Sequence, residues 1–301
     1  MNITLTGASG FLGTRLVARL LRDGNTLHVL GRKRSTDLPR EVWFTEWDAL
    51  KGPAPAAGLA DADAVIHLAG EPVARRWSSS VKQRILDSRK IGTRNLVRGL
   101  ADAQRRAPVL VSASATGYYG DRGEETLVED SAPGTGFLPE VCVAWEQQAL
   151  NAETMGIRVA TVRIGIVLGK EGGALAQMLP AFKMGVGGRL GSGRQWMSWI
   201  HVDDLIELFV FAVMRDGVAG AVNGVSPAPV RNADFTAALA GVLHRPAIFP
   251  VPRFALKVLF GEMADIVLGG QKVMPKVAES SGFQFQYRDL NGALVACLNE
   301  R

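Results

Sequence analysis

The chain has 301 residues, 47% of them hydrophobic and 21% charged, with a formal net charge of +5. That balance fits a globular α/β protein, disfavours disordered and fibrous classes, and leaves room for one large domain with a smaller companion. Cys142 and Cys297 are too few for a disulfide framework or a four-thiolate zinc site. The basic residues are dispersed and no run approaches about 18 apolar residues, so neither a nucleic-acid partner nor a membrane partner is expected.

The first element is a strand, Ile3–Thr6. Starting MNITLTG, the chain shows no charged and apolar leader, and a reducing, cytoplasmic setting is expected. The strand runs into TLTGASGFLGTRLVARLL, where Gly7, Gly10 and Gly13 stand between it and an amphipathic helix over Leu12–Asp23. Glycines in such a turn let the backbone bend and approach a pyrophosphate. The N–H groups around Ser9, Phe11 and Leu12 and the helix dipole favour its negative charge.

A second strand, Leu27–Gly31, ends in GRKRS. An acid there would bind an adenosine 2′-hydroxyl, whereas cations accommodate a 2′-phosphate, so Arg32, with Lys33 or Arg34 assisting, predicts NADP(H) over NAD(H). The competing reading is an exposed basic turn. After the third strand, Val42–Thr45, Asp48 is placed either to accept from an adenine amino group or to cap a turn. Lys51–Gly58, rich in Pro, Ala and Gly, reads as a surface loop. The fourth strand, Ala64–Leu68, ends in HLAG, which sets Leu68, Ala69, Gly70 and Glu71 against the cofactor. His67 lies outside any metal-ligand spacing, and no metal is expected.

A helix over Ser80–Ala103 carries Arg89, whose guanidinium suits an anionic or polar group, a bond to Glu71, or solvent. The fifth strand, Val109–Ser112, leads to SASATGYYG. A helix over Pro139–Glu153 and a strand over Arg158–Ile164 follow, and Arg163 and Gly165 lie where parallel strands open into a ligand crevice. The glycine-rich tract Gly185–Gly193, with Arg189, Arg194, Gln195 and Trp196, reads as a loop that closes over a substrate or as a plain connection. The fold expected is a Rossmann-type, doubly wound parallel sheet over residues 1–168 and 201–232. Residues 169–200 and 233–301 are assigned to a smaller substrate-side, C-terminal domain.

TGASGFLG, HLAG, SASATGYYG and WIHVDDL occur in the order found in extended short-chain dehydrogenases, and the chain resembles their NAD-dependent epimerase and dehydratase group over almost its whole length. LAGEPV, EVCVAWE and the tail GGQKVMPKVAESSGFQFQY are similar to an atypical branch with its own C-terminal domain, sometimes labelled cell-division inhibitor homologues. The resemblance implies chemistry by a Ser, a Tyr and a Lys, the last two being four apart on one helix. Ser114 matches the Ser, but Leu138 and Cys142 fall at the Tyr and Lys positions, and leucine has no proton to move.

Cys142 is then either a titrating thiol or a small buried hydrophobe, and Tyr118 or Tyr119 is either the substitute acid or a packing residue. Trp145 and Glu146 read as helix anchors, and Asp203 and Asp204 as caps of a following helix. Two functions stand: an NADP(H)-dependent oxidoreductase or epimerase-like enzyme acting on a small polar substrate, and a dinucleotide-binding regulator without turnover. A homodimer is left open.

Overall fold

The computed structural model describes residues 1–104 and 107–299. In the first half, β1 (Asn2–Thr6), α1 (Phe11–Arg22), β2 (Thr26–Gly31), β3 (Trp43–Glu46), β4 (Ala64–His67), α2 (Ser79–Asp102) and β5 (Val109–Ala115) alternate, as apolar runs separated by helical periods require. A two-residue β6 (Thr126–Leu127), α3 (Phe137–Leu150) and β7 (Arg158–Ile164) follow.

The second half is more broken. It comprises β8 (Ile166–Leu168), α4 (Gly173–Lys183), β9 (Trp196–Met197), β10 (Trp199–His201), α5 (Val202–Met214), β11 (Gly220–Gly224) and β12 (Val230–Arg231). Then come α6 (Asn232–Leu243), α7 (Arg253–Phe260), α8 (Ala264–Leu268), β13 (Lys272–Val273), α9 (Lys276–Ser280) and α10 (Leu290–Asn299).

Seven strands form one sheet in the order β11-β7-β5-β4-β1-β2-β3, and every pairing in it is parallel. The chain winds outward from β1 to β3, then crosses to β4 and winds the other way. The switch between β1 and β4 opens a crevice at the strands' carboxyl ends, where such folds bind ligands.

Strand periodicity sorts side chains to two faces. Val65 and Leu110 join Leu96, Leu100 and Ala149 on the α2 and α3 side. Ile66 and Val111 join Leu16, Leu20, Leu205 and Phe209 on the α1 and α5 side. A separate core gathers Leu175, Leu179, Phe182, Trp199, Phe235, Leu239, Leu294 and Cys297. The tail does not keep wholly to that core, because Ala278, Phe283 and Phe285 pack into the α1 and α5 side of the sheet.

Two local expectations change. Part of Lys51–Gly58 is interior: Ala54 is buried and a Cβ at Gly99 would lie 2.7 Å from the Ala54 Cβ, while Ala56–Gly58 forms a 3-10 turn. At the start of α5 the cap is the His201 ring, which accepts from the Asp203 N–H at 3.2 Å. Asp204, which was expected to cap, is buried and accepts from the Gln286 and Tyr287 N–H groups at 2.8 and 2.9 Å.

Candidate functional site

The glycine turn has three different environments. Gly7 holds φ at +76°, and a Cβ there would lie 2.8 Å from the Ala69 nitrogen, so this turn packs directly on the end of β4. A Cβ at Gly13 would lie 2.7 Å from the Ala8 Cα, because helix and strand touch backbone to backbone. Gly10 differs, since its Cβ would meet only the Gly7 carbonyl oxygen at 3.4 Å. It is exposed, it caps α1 with no side-chain hydrogen bond, and Ser9 beside it is also exposed. First-turn N–H groups without a capping side chain, on a face kept free of a Cβ, make a cradle for an anion.

The Phe11 ring fills the space beside Gly169 and Gly172, where an added Cβ would collide with it, while Leu12 is half-buried. Beneath the turn, the fully buried His67 ring bonds the Thr6 hydroxyl at 2.7 Å and the Thr93 hydroxyl at 2.9 Å. Burial, helped by the Arg89 charge, lowers its pKa to about 4, so it is neutral and structural. Thr6 Oγ1 also accepts from the Ala69 N–H at 3.3 Å, which ties Leu68–Gly70 to the glycine turn.

At the end of β2 the three cations part company. Arg32 and Lys33 are exposed, but Arg34 donates to the Val42 and Pro39 carbonyls at 2.9 and 2.8 Å and closes its own loop. Asp48 accepts from the Leu50 N–H at 3.1 Å, a turn cap, and faces Lys51 at 3.6 Å.

Arg89 is half-buried, with its guanidinium 4.8 Å from the Trp145 ring centroid, and donates to the Glu71 and Ile85 carbonyls at 3.0 and 3.2 Å. The Glu71 carboxylate faces Arg75 at 3.0 Å and Arg84 at 3.7 Å instead. A Cβ at Gly70 would lie 3.2 Å from the Arg89 guanidinium carbon, which puts this cation at the floor of the crevice.

The ends of β5 and β7 carry a buried polar network. Ser114 donates to Glu146 at 2.6 Å, and Arg163 grips the same carboxylate through Nε and Nη2, both at 2.8 Å. Arg163 also donates to the Tyr119 hydroxyl at 2.9 Å and to the Glu129 carbonyl at 3.0 Å. Burial alone would lower the Arg163 pKa; the bonds to Glu146 outweigh it and raise it, so the guanidinium stays charged.

Tyr119 is fully buried, donates to Asn223 Oδ1 at 2.7 Å, and burial pushes its pKa up to about 12. The Cys142 thiol, 3% exposed, is likewise pushed up to about 12, first by burial and then by the Glu146 charge. Neither group is placed to exchange protons near neutrality. Leu138 and Cys142 flank Gly117, as packing residues do.

Tyr118 is different. It is half-buried, the Arg163 guanidinium lies 3.5 Å from its ring centroid, and no hydrogen bond to its hydroxyl is found among the described residues. Of the four residues proposed for the chemistry, Ser114, Tyr119 and Cys142 are buried, and Tyr118 alone has a hydroxyl with no hydrogen bond among the described residues.

Sequence reasoning read Glu146 as an anchor and missed Glu129 and Asn223. Glu129 Oε1 accepts from the N–H groups of Asn223 and Val277 at 3.0 and 3.1 Å, joining sheet and tail. The glycine-rich loop is pinned, with Gln195 donating to the Leu190 and Val267 carbonyls and Trp196 to Glu124. A Cβ at Gly165 would meet Val225 at 2.7 Å, so this glycine serves strand packing. Among the described residues no group of three or more His, Cys, Asp or Glu side chains could hold a metal ion.

The strand order, the switch point and the three glycine environments define a Rossmann-type α/β protein with a turn shaped for a dinucleotide. Residues 3–223 match the model of the NAD dependent epimerase/dehydratase family, and residues 251–297 match a domain of unknown function, DUF1731. The chain belongs to that epimerase/dehydratase family.

It is 44% identical to the epimerase family protein SDR39U1 homolog, chloroplastic, of Arabidopsis thaliana, over 99% of this chain and 87% of the relative. It is 39% identical to the epimerase family protein YfhF of Bacillus subtilis, over 100% and 99%. The crystal structure of human epimerase family protein SDR39U1 (isoform 2) with NADPH superposes with a TM-score of 0.89 at 30% identity, covering 100% of both chains.

Proposed function

We propose that the chain binds NADP(H) in the crevice and uses it to reduce or epimerise a small polar substrate. The observation that carries the reading is the contrast at the glycine turn: Gly7 and Gly13 are needed for packing, whereas Gly10 is open on the face a pyrophosphate would take. NADPH in the solved human relative supports the same assignment.

The residues that fit the group are the Gly7–Gly13 turn for the pyrophosphate, Leu68–Gly70 for the adenosine side, and Arg32 and Lys33 for the 2′-phosphate. Arg34 leaves this set because its donors are spent on its own loop. When bound, the nicotinamide supplies hydride exchange with a carbon of the substrate.

The chain's part is proton transfer and orientation. Ser114 gives its proton to Glu146 in a hydrogen bond, so its lone pairs suit a substrate hydroxyl, and Arg163 holds the Glu146 carboxylate in place. The free hydroxyl of Tyr118 is the proton donor proposed for the oxygen of a carbonyl under reduction. Arg89, at the crevice floor without a carboxylate partner among the described residues, orients an anionic or strongly polar substituent.

NADPH is expected to bind more tightly than NADH by about ten- to a hundred-fold, since one or two charge-assisted bonds to the 2′-phosphate contribute about 1.5–3 kcal/mol. Calorimetry on wild type and Arg32→Ala checks this, and equal affinities in the wild type would overturn the phosphate assignment.

Tyr118→Phe is expected to leave NADPH affinity unchanged and to cut turnover by about 10²–10⁴. A panel of small carbonyl compounds, read by NADPH consumption, supplies the assay. Brisk turnover that survives this change would remove Tyr118 from the chemistry.

A second reading is a regulator that binds NADP(H) without turnover. Leu138 and the buried Cys142 favour it, because neither replaces the Tyr and Lys that they displace. NADPH binding with no consumption across the panel would favour this reading.

A further inference from the structure

Thirteen large hydrophobic side chains are exposed among the described residues, and six of them lie on one strip and the helix that continues it. Met184, Val186, Ile248, Phe249, Phe254 and Val258 are each more than 60% exposed. The strip forms where the loop after α4 is zipped to the loop before α7: Val251 donates to the Arg189 carbonyl at 2.8 Å, and Gly191 to the Val251 carbonyl at 2.9 Å. Arg245 also donates to the Lys183 carbonyl at 3.1 Å, which fixes the two segments together. Surface apolar residues scattered singly are ordinary, but a clustered set marks a contact site.

Charge identifies the contact. Residues 172–202 and 235–261, which include both zipped loops, contain no Asp or Glu. They carry Lys183, Arg189, Arg194, Arg245, Arg253 and Lys257, more positive charge than the +5 of the whole chain. The remainder of the molecule is close to neutral.

Lys183 ends α4, Arg189, Arg194 and Arg245 lie in the two zipped loops, and Arg253 and Lys257 lie on α7, the same segments that carry the exposed Phe, Ile, Met and Val side chains. Aromatic and aliphatic groups among cations, with Asp265 facing Lys257 at 3.6 Å, match the boundary of an anionic bilayer, where the apolar groups enter the acyl edge and the cations meet lipid headgroups. A helix long and apolar enough to span a membrane is not needed for this, and none is found among the described residues.

We infer that the zipped strip and α7 form a docking surface for an anionic membrane, independent of the cofactor crevice. The test is cosedimentation of the full chain with phosphatidylcholine vesicles that contain phosphatidylserine, against pure phosphatidylcholine vesicles. Wild type is expected to partition onto the anionic vesicles, with partitioning that weakens as salt rises.

Phe249→Ser with Phe254→Ser, and separately Lys183→Glu with Arg189→Glu and Lys257→Glu, are each expected to reduce partitioning more than about tenfold. Unchanged circular dichroism and NADPH affinity show that both variants remain folded. Three results would each overturn the inference: no partitioning of wild type, equal partitioning onto both vesicle types, or a concentration-dependent dimer that the Phe changes abolish. The last would assign the strip to a second copy of the chain.

Discussion

Gly10→Val is expected to abolish NADPH binding in a protein that still folds, whereas Gly13→Val is expected not to fold. The two positions lie three residues apart in the same turn, so composition and propensity do not separate them. Geometry does. Gly10 sits at φ −81° and ψ 167°, which a β-branched residue adopts readily, and its added Cβ would meet one carbonyl oxygen at 3.4 Å.

The valine methyl groups would project from that Cβ toward the face that the first-turn N–H groups leave open, and would keep a pyrophosphate from reaching them. At Gly13 even a methyl group would lie 2.7 Å from the Ala8 Cα, and the backbone of β1 and α1 would have to part. Circular dichroism and calorimetric titration distinguish the variants. A folded Gly10→Val protein that binds NADPH at full strength would move the phosphate site elsewhere.

Arg163→Met is expected to destabilise the fold by about 3–5 kcal/mol, because it leaves the buried Glu146 carboxylate with Ser114 as its only remaining partner among the described residues. The same change strands the Glu129 carbonyl and removes one bond from Tyr119. At roughly 2–4 °C per kcal/mol for a protein of this size, the melting temperature should fall by about 6–20 °C.

Arg163→Met combined with Glu146→Leu should recover part of the loss, since removing both members of a buried pair costs less than orphaning one. Tyr118→Phe, which removes no bonded polar atom, should shift stability by less than about 1 kcal/mol and serves as the control. A single Arg163→Met variant within 1 kcal/mol of wild type would show that the ion pair does not hold the site together.

Six of the seven strands of the sheet were legible in the sequence because each is a short run rich in apolar residues, whereas edge strand β11, GAVNG, was not, because Ala221 and Val222 are its only apolar side chains besides glycine. Arg158–Ile164 matches β7 at both ends. The glycine turn was legible for a related reason: strand, turn and helix are contiguous, so spacing alone carries the geometry.

The polar network at the ends of β5 and β7 was harder because its partners are remote along the chain. Tyr118 and Tyr119 are neighbours, and what separates a free hydroxyl from a locked one is Asn223, 104 residues on from Tyr119. Arg34 looked interchangeable with Lys33 as a partner to Arg32, and only the fold of the loop from Ser35 to Val42 turns its donors inward. Glu146 could not be paired with Arg163 until α3 was laid against the end of β7.

The sharing of the sheet's core with the tail has a consequence for biosynthesis. A nascent chain that has emerged as far as Gly224 has every strand of the sheet, yet Ala278, Phe283 and Phe285, which complete one of its faces, are still to be made. Until then Asp204 lacks the Gln286 and Tyr287 amides, and Glu129 lacks that of Val277. The amino-terminal portion therefore waits on the ribosome with an apolar face unsealed and buried-type carboxylates in water, and that interval is when chaperones would find it.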